Sequence, residues 1–248
     1  IAIGAVAAAV FWAASIVFPP VIAAILSTIA TVALTGALHE DGLADTMDGL
    51  GGGHTRERAL QIMKDPRIGS FGALSLMLVV SLKIATISAL PLTWLIMALI
   101  SGHALSRWCA VLLVLRLPYA RADSSTRARP VIERVARTDL IVATVFGLAP
   151  LGACVAFASI GVLGTHAPDS VAAQPGALAD SAQAATAVLA SLSVTALPGA
   201  LAAVVTTGLL GLWYARRLGG YTGDTLGATQ QITEVVFYLA MLAAWNSR

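Results

Sequence analysis

Charged residues are scarce in this chain of 248 residues. Aspartate, glutamate, lysine and arginine together make up 11% of it, whereas hydrophobic residues make up 58%. The mean hydropathy of +0.84 indicates more apolar surface than a soluble domain of this size can bury. The composition therefore excludes an ordinary soluble domain and is typical of a polytopic membrane protein.

Cysteine and an excess of basic charge are also lacking. The two cysteines, Cys109 and Cys154, lie in different apolar runs, so neither a disulfide framework nor a zinc site is indicated. The formal net charge is only +2 and no patch combines basic with aromatic residues, which excludes a nucleic acid as the expected partner.

Seven apolar runs account for most of the sequence. A helix needs roughly 20 apolar residues to cross a membrane, so we predict an all-α integral membrane bundle of about seven transmembrane helices, forming one domain over residues 1–248. The runs cover residues 1–18, 20–38, 71–90, 92–115, 139–163, 186–214 and 227–246.

Lysine and arginine predict the orientation of the bundle. They occur in the connections 39–70, 116–138 and 216–227, whereas the connection 164–185 has neither. Because basic loops remain in the cytoplasm, we expect these three basic connections and the N-terminus on the cytoplasmic side. The connection 164–185 is rich in alanine, serine and proline and is predicted to be an external linker.

The densest group of acids follows the second apolar run, in the segment His-Glu-Asp-Gly-Leu-Ala-Asp-Thr-Met-Asp-Gly at residues 39–49. Asp41, Asp45 and Asp48 stand at i, i+4 and i+7, so in a helix they share one face, which we call the aspartate stripe. Carboxylates at this spacing repel one another unless a cation lies among them. The stripe therefore predicts a site for a divalent metal.

The residues that follow predict a return of the chain toward this stripe. Three glycines precede Thr55, a residue typical of a helix N-cap, and a short helix is expected from 56 to 64. We expect this helix–glycine–helix unit to bring Asp65 and Arg67 back toward the stripe. The alternative is a solvated loop whose charges offset one another, but the regular spacing of the acids favours a site.

A second polar segment, residues 219–227, precedes the last apolar run. Its glycines ahead of Asp224 allow close approach of the backbone to a ligand, as in phosphate-binding loops. The structural alternative is that Asp224 or Thr225 caps the last helix. Because this segment is expected on the same side as the stripe, we interpret it as the second half of one site.

Four ionisable residues interrupt the apolar runs: Lys83, His103, Arg107 and Glu234. Such groups are costly in a membrane and usually face the bundle interior, a cavity or one another. Arg107 shares a helix face with His103 and is expected to reach a phosphate-bearing ligand. For Lys83, a phosphate contact, snorkelling and an internal ion pair all stay open.

These segments resemble the cobalamin synthase family, whose members are adenosylcobinamide-GDP ribazoletransferases. The matching stretches run in the family's order over nearly the whole chain: residues 39–53, 58–72, 106–107, 118–121 and 218–228, followed by Glu234. Two positions depart from the family. Glu40 stands where the family typically has leucine, and Pro66 replaces the serine of its Lys-Asp-Ser-Arg-Ile-Gly run.

The resemblance implies a multi-pass protein of a prokaryotic cytoplasmic membrane that acts in the last steps of coenzyme B12 biosynthesis. It implies Mg²⁺-dependent transfer of adenosylcobinamide phosphate from adenosylcobinamide-GDP to alpha-ribazole or its 5′-phosphate, with release of GMP. The expected partners are these small molecules and the lipid bilayer, and formation of a homo-oligomer is left open.

Phosphoryl transfer of this kind needs cations on the phosphates and an acceptor for the hydroxyl proton. The expected metal ligands are Asp41, Asp45, Asp48 and Asp65. The expected catalytic residues are Asp48, Asp224 and His39. The expected substrate-binding residues are Lys64, Arg67, Arg107, Gly220, Thr222 and Gly223.

Two other functions fit parts of the pattern. A CDP-alcohol-type phosphotransferase would use a two-helix aspartate motif for the same chemistry, although with a different spacing. A transporter would place its acids near the bilayer midplane, often in paired repeats. Here the acids lie in a connection at the membrane edge and no internal repeat is found, which favours an enzyme.

Overall fold

The computed structural model describes residues 1–121, 137–164 and 177–247, and in these ranges it is helical without a β-strand. The helices are α1 (Ala2–Ser15), α2 (Pro20–Thr35), α3 (Leu38–Gly52), α4 (Arg56–Ile62), α5 (Ser70–Ala89), α6 (Leu92–Arg116), α7 (Arg137–Gly164), α8 (Ala177–Leu218) and α9 (Gly223–Asn246). The predicted all-α bundle is confirmed, and each of the seven apolar runs falls on a helix.

Three of the described helices are long and apolar enough to cross a membrane: α5, Trp94–Arg116 of α6 and Ala196–Leu218 of α8. A fourth is reached if α2 and α3 are counted together as one broken span. The chain is therefore a multi-pass membrane protein. The number of seven spans and the inside position of the N-terminus stay predictions.

The junction of α2 and α3 bends the chain by 89°. Gly36 and Ala37 make the bend, with φ angles of 62° and 57°, a left-handed conformation that glycine adopts without a steric penalty. Since α3 carries four acidic residues and turns away from α2, we treat it as lying outside the spanning segments. The bend thus presents the aspartate stripe at the end of the bundle.

Two glycines let α3 and the start of α9 pack with their backbones in contact. A Cβ atom added at Gly42 would lie 2.8 Å from the Asp224 carbonyl oxygen, and one at Gly227 would lie 3.2 Å from the His39 Cα. Larger residues would separate the helices. This contact brings the two polar segments of the sequence together, as predicted.

Two arginines tie the connections at this end of the bundle to one another. Arg56 donates to the carbonyl oxygens of Leu218 at 2.6 Å and Ala120 at 2.9 Å. Arg217 donates to those of Leu50 at 3.1 Å and Gly53 at 2.7 Å. These basic residues therefore hold the framework of the site and do more than orient the protein in a membrane.

The outer faces of the long helices are apolar, as a lipid environment requires. Met77 and Leu78 of α5 and Leu201 and Leu209 of α8 are exposed. The predicted external linker needs one correction, because α8 already begins at Ala177. The other part of that linker, residues 165–176, and residues 122–136 of the predicted basic connection lie outside the described residues.

Candidate active site

Three carboxylates from α3 and α9 form one electrostatically coupled group, Asp41, Asp45 and Asp224, which we call the aspartate cluster. Burial, followed by repulsion from Asp224 and Asp41, raises the pKa of Asp45 to about 6. Gly42 of α3, which lies between Asp41 and Asp45 in the sequence, packs on the backbone of Asp224, so these carboxylates stand on facing turns of α3 and α9. The expected pairing of the stripe with the segment around Asp224 is thereby realised for two of the three stripe residues.

Asp224 has a cationic partner that was assigned no role from the sequence. Arg121 donates through Nη2 to Oδ2 of Asp224 at 2.5 Å, and the two side chains are 18% and 20% exposed. Burial raises the pKa of the Asp224 carboxyl, and Arg121 opposes that rise. The sequence marks Arg121 only as a basic residue of the connection 116–138 and as part of the family stretch 118–121, and neither signal predicts its contact with Asp224.

Asp48 is a helix cap in this structure. One carboxylate oxygen accepts the backbone N–H of Gly69 at 2.7 Å, and the other accepts that of Gly72 at 2.8 Å. These N–H groups lie at the start of α5, where the helix itself provides no acceptor, so Asp48 connects α3 to α5. Both carboxylate oxygens thus accept a backbone N–H group, and the expected roles of Asp48 as a metal ligand and proton acceptor stay predictions.

Asp65 and Arg67 pair with each other. Arg67 donates from Nε to Asp65 Oδ1 at 2.9 Å and from Nη2 to Oδ2 at 2.7 Å. These hydrogen bonds lower the pKa of Asp65 to about 2. Arg67 is 86% exposed, so the pair lies at the surface and not within the aspartate cluster.

The expected four-aspartate metal group is therefore not assembled as one set. Over residues 1–121, 137–164 and 177–247, no three His, Cys, Asp or Glu side chains are grouped closely enough to hold a metal ion. Asp48 caps α5 and Asp65 pairs with Arg67, because each finds a closer partner in its own neighbourhood.

The segment 219–227 is shaped mainly by its own hydrogen bonds. Thr222 accepts from the backbone of Thr225, whose hydroxyl accepts from the backbone of Thr222, so Thr222 is the N-cap of α9 in a capping box. The alternative of a helix cap at Asp224 or Thr225 is therefore close to the observed arrangement, in which Thr222 is the N-cap and Thr225 completes the capping box. Gly220 packs directly on the Pro118 carbonyl, whereas Gly223 faces open space.

A second group of charges lies inside the bundle around Glu234 of α9. Its carboxylate is fully buried and receives Lys83 Nζ at 2.6 Å and His103 Nδ1 at 3.1 Å. Tyr238 and Gln230 donate to the same carboxylate at 3.1 and 2.5 Å. Of the alternatives for Lys83, the internal ion pair is the one that the structure adopts.

This buried network extends to α3 and its first residues. Gln231 donates to Oε1 of Glu40 at 2.8 Å and to Oε1 of Gln230 at 3.0 Å. Glu40, one of the two departures from the family, is thus hydrogen-bonded to α9. Arg107 donates to the His103 carbonyl at 2.8 Å and lies within electrostatic range of the half-buried His39.

A basic cleft of about 330 Å³ adjoins the aspartate cluster. Its walls come from α4 and from the chain after α6: Arg56, Glu57, Leu60, Gln61, Lys64, Ala120 and Arg121. Arg121 belongs both to the cleft and to the ion pair with Asp224. Lys64, expected to contact phosphate, lines this cleft.

A protein family and several known proteins are similar to this chain. Residues 1–242 match the family of cobalamin-5-phosphate synthases. The adenosylcobinamide-GDP ribazoletransferase of Shewanella amazonensis is 37% identical over 247 residues, which cover 98% of this chain and 81% of the relative. The protein with the same description from Leptothrix cholodnii is 43% identical over 244 residues, covering 97% and 80%.

A third relative, from Ralstonia pickettii, is 36% identical over 252 residues, covering 99% of this chain and 81% of the relative. No solved structure matches the chain. The family match extends over nearly the full sequence and includes both halves of the candidate site. The chain therefore belongs to the cobalamin-5-phosphate synthase family.

Proposed function

We propose that this protein transfers adenosylcobinamide phosphate from adenosylcobinamide-GDP to alpha-ribazole or its 5′-phosphate, releasing GMP, in the last steps of coenzyme B12 biosynthesis. The observation that carries the proposal is the aspartate cluster beside a basic cleft, in a chain similar to adenosylcobinamide-GDP ribazoletransferases. The site combines negative groups for a metal and a proton with positive groups for phosphate, as this reaction requires.

The reaction exchanges one phosphorus–oxygen bond for another. The bond between the corrinoid phosphorus and the bridging oxygen is broken, and that oxygen leaves with GMP. A ribose hydroxyl that is free in both alpha-ribazole and its 5′-phosphate bonds to the corrinoid phosphorus, and the proton of that hydroxyl must leave. Negative charge develops on the departing GMP. Arg121 and Lys64 are suited to bind this charge, because a guanidinium and an ammonium donate charge-assisted hydrogen bonds to phosphate oxygens.

The donor set of the aspartate cluster fits Mg²⁺. This ion is commonly held by one or two carboxylates, with water and substrate phosphates completing its shell. Asp41 and Asp45 would hold it, and their mutual repulsion is the reason that a cation is favoured there. When bound, Mg²⁺ neutralises phosphate charge and orients the diphosphate.

Asp224 is the best-positioned acceptor for the hydroxyl proton. Its Oδ2 is fixed by Arg121, and its Oδ1 accepts no hydrogen bond from the described residues. Asp48, by contrast, has both oxygens engaged by backbone N–H groups. A general base needs an oxygen that the acceptor hydroxyl can approach, and Oδ1 of Asp224 has no hydrogen-bond donor among the described residues.

We further propose that the aspartate cluster and the basic cleft face the cytoplasm, with the N-terminus inside. The connections 39–70, 116–138 and 216–227, which together supply the residues of these two features, all carry lysine or arginine. Basic loops are retained in the cytoplasm during membrane insertion. Reporter fusions in the connections would test this orientation.

The transfer reaction itself is tested with purified protein in lipid nanodiscs, supplied with adenosylcobinamide-GDP, alpha-ribazole and Mg²⁺. We expect equimolar GMP and ribazole-containing corrinoid. The exposed Asp139, in the first turn of α7, provides a control: Asp139→Asn should leave the rate unchanged. If the wild-type protein forms no product here but converts a CDP-alcohol, the alternative phosphotransferase function is correct.

A further inference from the structure

The basic cleft has a wall composition that favours an anion with one additional polar group. Three cationic side chains, Arg56, Lys64 and Arg121, line it together with one carboxylate, Glu57. Its volume of about 330 Å³ is in the range of small-molecule sites. The cleft is thus suited to a ligand the size of a nucleotide.

The cationic groups of the cleft are held in place before a ligand binds. Arg56 is fixed by two carbonyl oxygens, those of Leu218 and Ala120. Arg121 is fixed by Asp224, and its buried Nε donates to no acceptor among the described residues. Both guanidinium groups are therefore ordered before an anion enters the cleft, which lowers the entropic cost of binding it.

The shared residue Arg121 determines which part of a diphosphate substrate belongs in the cleft. One side of Arg121 contacts Asp224 of the aspartate cluster, and the other side lines the cleft. If a phosphate of the substrate binds Arg121, the phosphorus that reacts can therefore lie on the side of the aspartate cluster. The other lining residues of the cleft, from Lys64 back to Glu57, are then available to the rest of the nucleotide.

We propose that the basic cleft binds the guanosine monophosphate half of the substrate and that Glu57 selects guanine. This inference rests on the proposed function. Guanine presents two adjacent donors, its ring N–H and its amino group, which one carboxylate accepts together. Adenine presents an unprotonated ring nitrogen at the corresponding position, which a carboxylate repels. Leu60, one turn further along α4, offers an apolar surface to the base.

Binding of GMP and AMP to the full chain in nanodiscs tests this directly by equilibrium dialysis. We expect wild-type protein to prefer GMP over AMP by at least about tenfold. Glu57→Gln should weaken the binding of GMP by about tenfold and remove the preference for GMP over AMP, since an amide cannot accept both guanine donors. Lys64→Gln should weaken the binding of GMP and AMP by the same factor, because Lys64 contacts the phosphate that both nucleotides share.

Two matched variants control for general damage. Asp139→Asn removes another exposed acid from a first helical turn, that of α7, and Arg58→Gln removes a cation of α4 that does not line the cleft. Both should bind GMP as the wild type does. Equal binding of GMP and AMP by the wild type, or GMP binding unaffected by Glu57→Gln and Lys64→Gln, overturns the assignment.

The transfer assay separates this inference from the proposed function. A protein that forms product from adenosylcobinamide-GDP but fails the nucleotide tests keeps the function and refutes the cleft assignment. A protein that forms no product and does not distinguish GMP from AMP refutes both. Product formation with the expected nucleotide preference supports both.

Discussion

Helix α9 carries two groups of charges that differ in how well they are satisfied. Deep in the bundle, the Glu234 carboxylate receives Lys83, His103, Gln230 and Tyr238. At the start of the same helix, the described residues place one cation, Arg121, beside Asp224 and the two neighbouring carboxylates of α3. The first group is complete within the protein, whereas the second carries excess negative charge that a ligand can neutralise.

This difference separates a structural role from a catalytic one. A buried charge whose partners are all present holds helices in register, and its loss is felt as instability. A group of repelling carboxylates destabilises the protein in the absence of a ligand, and its loss is felt in the reaction. The comparison therefore predicts opposite outcomes for variants of the two groups.

The largest expected effect on the reaction comes from Asp45→Asn. Loss of this carboxylate removes a proposed ligand for the cation on the diphosphate, so GMP release should fall by about 10³-fold or more. The melting temperature should be unchanged or higher, because repulsion from Asp41 and Asp224 is relieved. Both quantities are measured on nanodisc protein, and a variant that unfolds at lower temperature contradicts the comparison.

The largest expected effect on stability comes from Lys83→Met. It leaves the fully buried Glu234 without its ammonium partner at 2.6 Å, which should cost about 3–5 kcal/mol. Thermal unfolding in detergent measures this loss. Combining Lys83→Met with Glu234→Gln should recover part of it, since no uncompensated charge remains. If the double variant is no better than the single one, the ion pair is not the cause.

A smaller effect is expected from Asp48→Asn, which tests whether a stripe residue belongs to the structural group. An amide can accept only one of the N–H groups of Gly69 and Gly72, so about 1–2 kcal/mol should be lost. The melting temperature should fall more than it does for Asp45→Asn. A stable but inactive Asp48→Asn would instead return Asp48 to the expected ligand set.

The smallest effect is expected from Glu40→Leu, at the edge of the buried network. The change removes one hydrogen bond, from Gln231 at 2.8 Å, with a cost of about 1 kcal/mol. Glu40→Gln retains an acceptor and should lie closer to the wild type. Thermal unfolding of the two variants side by side distinguishes loss of the hydrogen bond from loss of the charge.

The helices and the position of the site were predictable because both depend on local patterns. Apolar runs locate the helices, and the spacing of Asp41 and Asp45 places them on one face of α3. The N-cap at Thr55 also follows from residue type, and its side chain accepts from Arg58 as expected. Such features are encoded within a few neighbouring residues.

The division of roles within the site depends on contacts between distant segments. Asp48 meets the N-terminus of α5, and Arg121 meets Asp224 across 103 positions of the chain. A spacing rule treats Asp48 like Asp45 and gives Arg121 no partner. The sequence therefore indicates that acidic and basic residues come together in this site, but only the fold shows which of them already have a partner within the protein.

We propose that the aspartate cluster, and not the buried Glu234 network, receives the substrate with its cation. The most direct measurement is the melting temperature of nanodisc protein with and without adenosylcobinamide-GDP and Mg²⁺, for the wild type and the Asp41→Asn/Asp45→Asn variant. Ligand that binds the folded state raises the wild-type value. We expect the double variant to melt at least as high without ligand and to gain a smaller increase with it, because the basic cleft still binds the nucleotide half. An equal increase in both proteins would contradict the account.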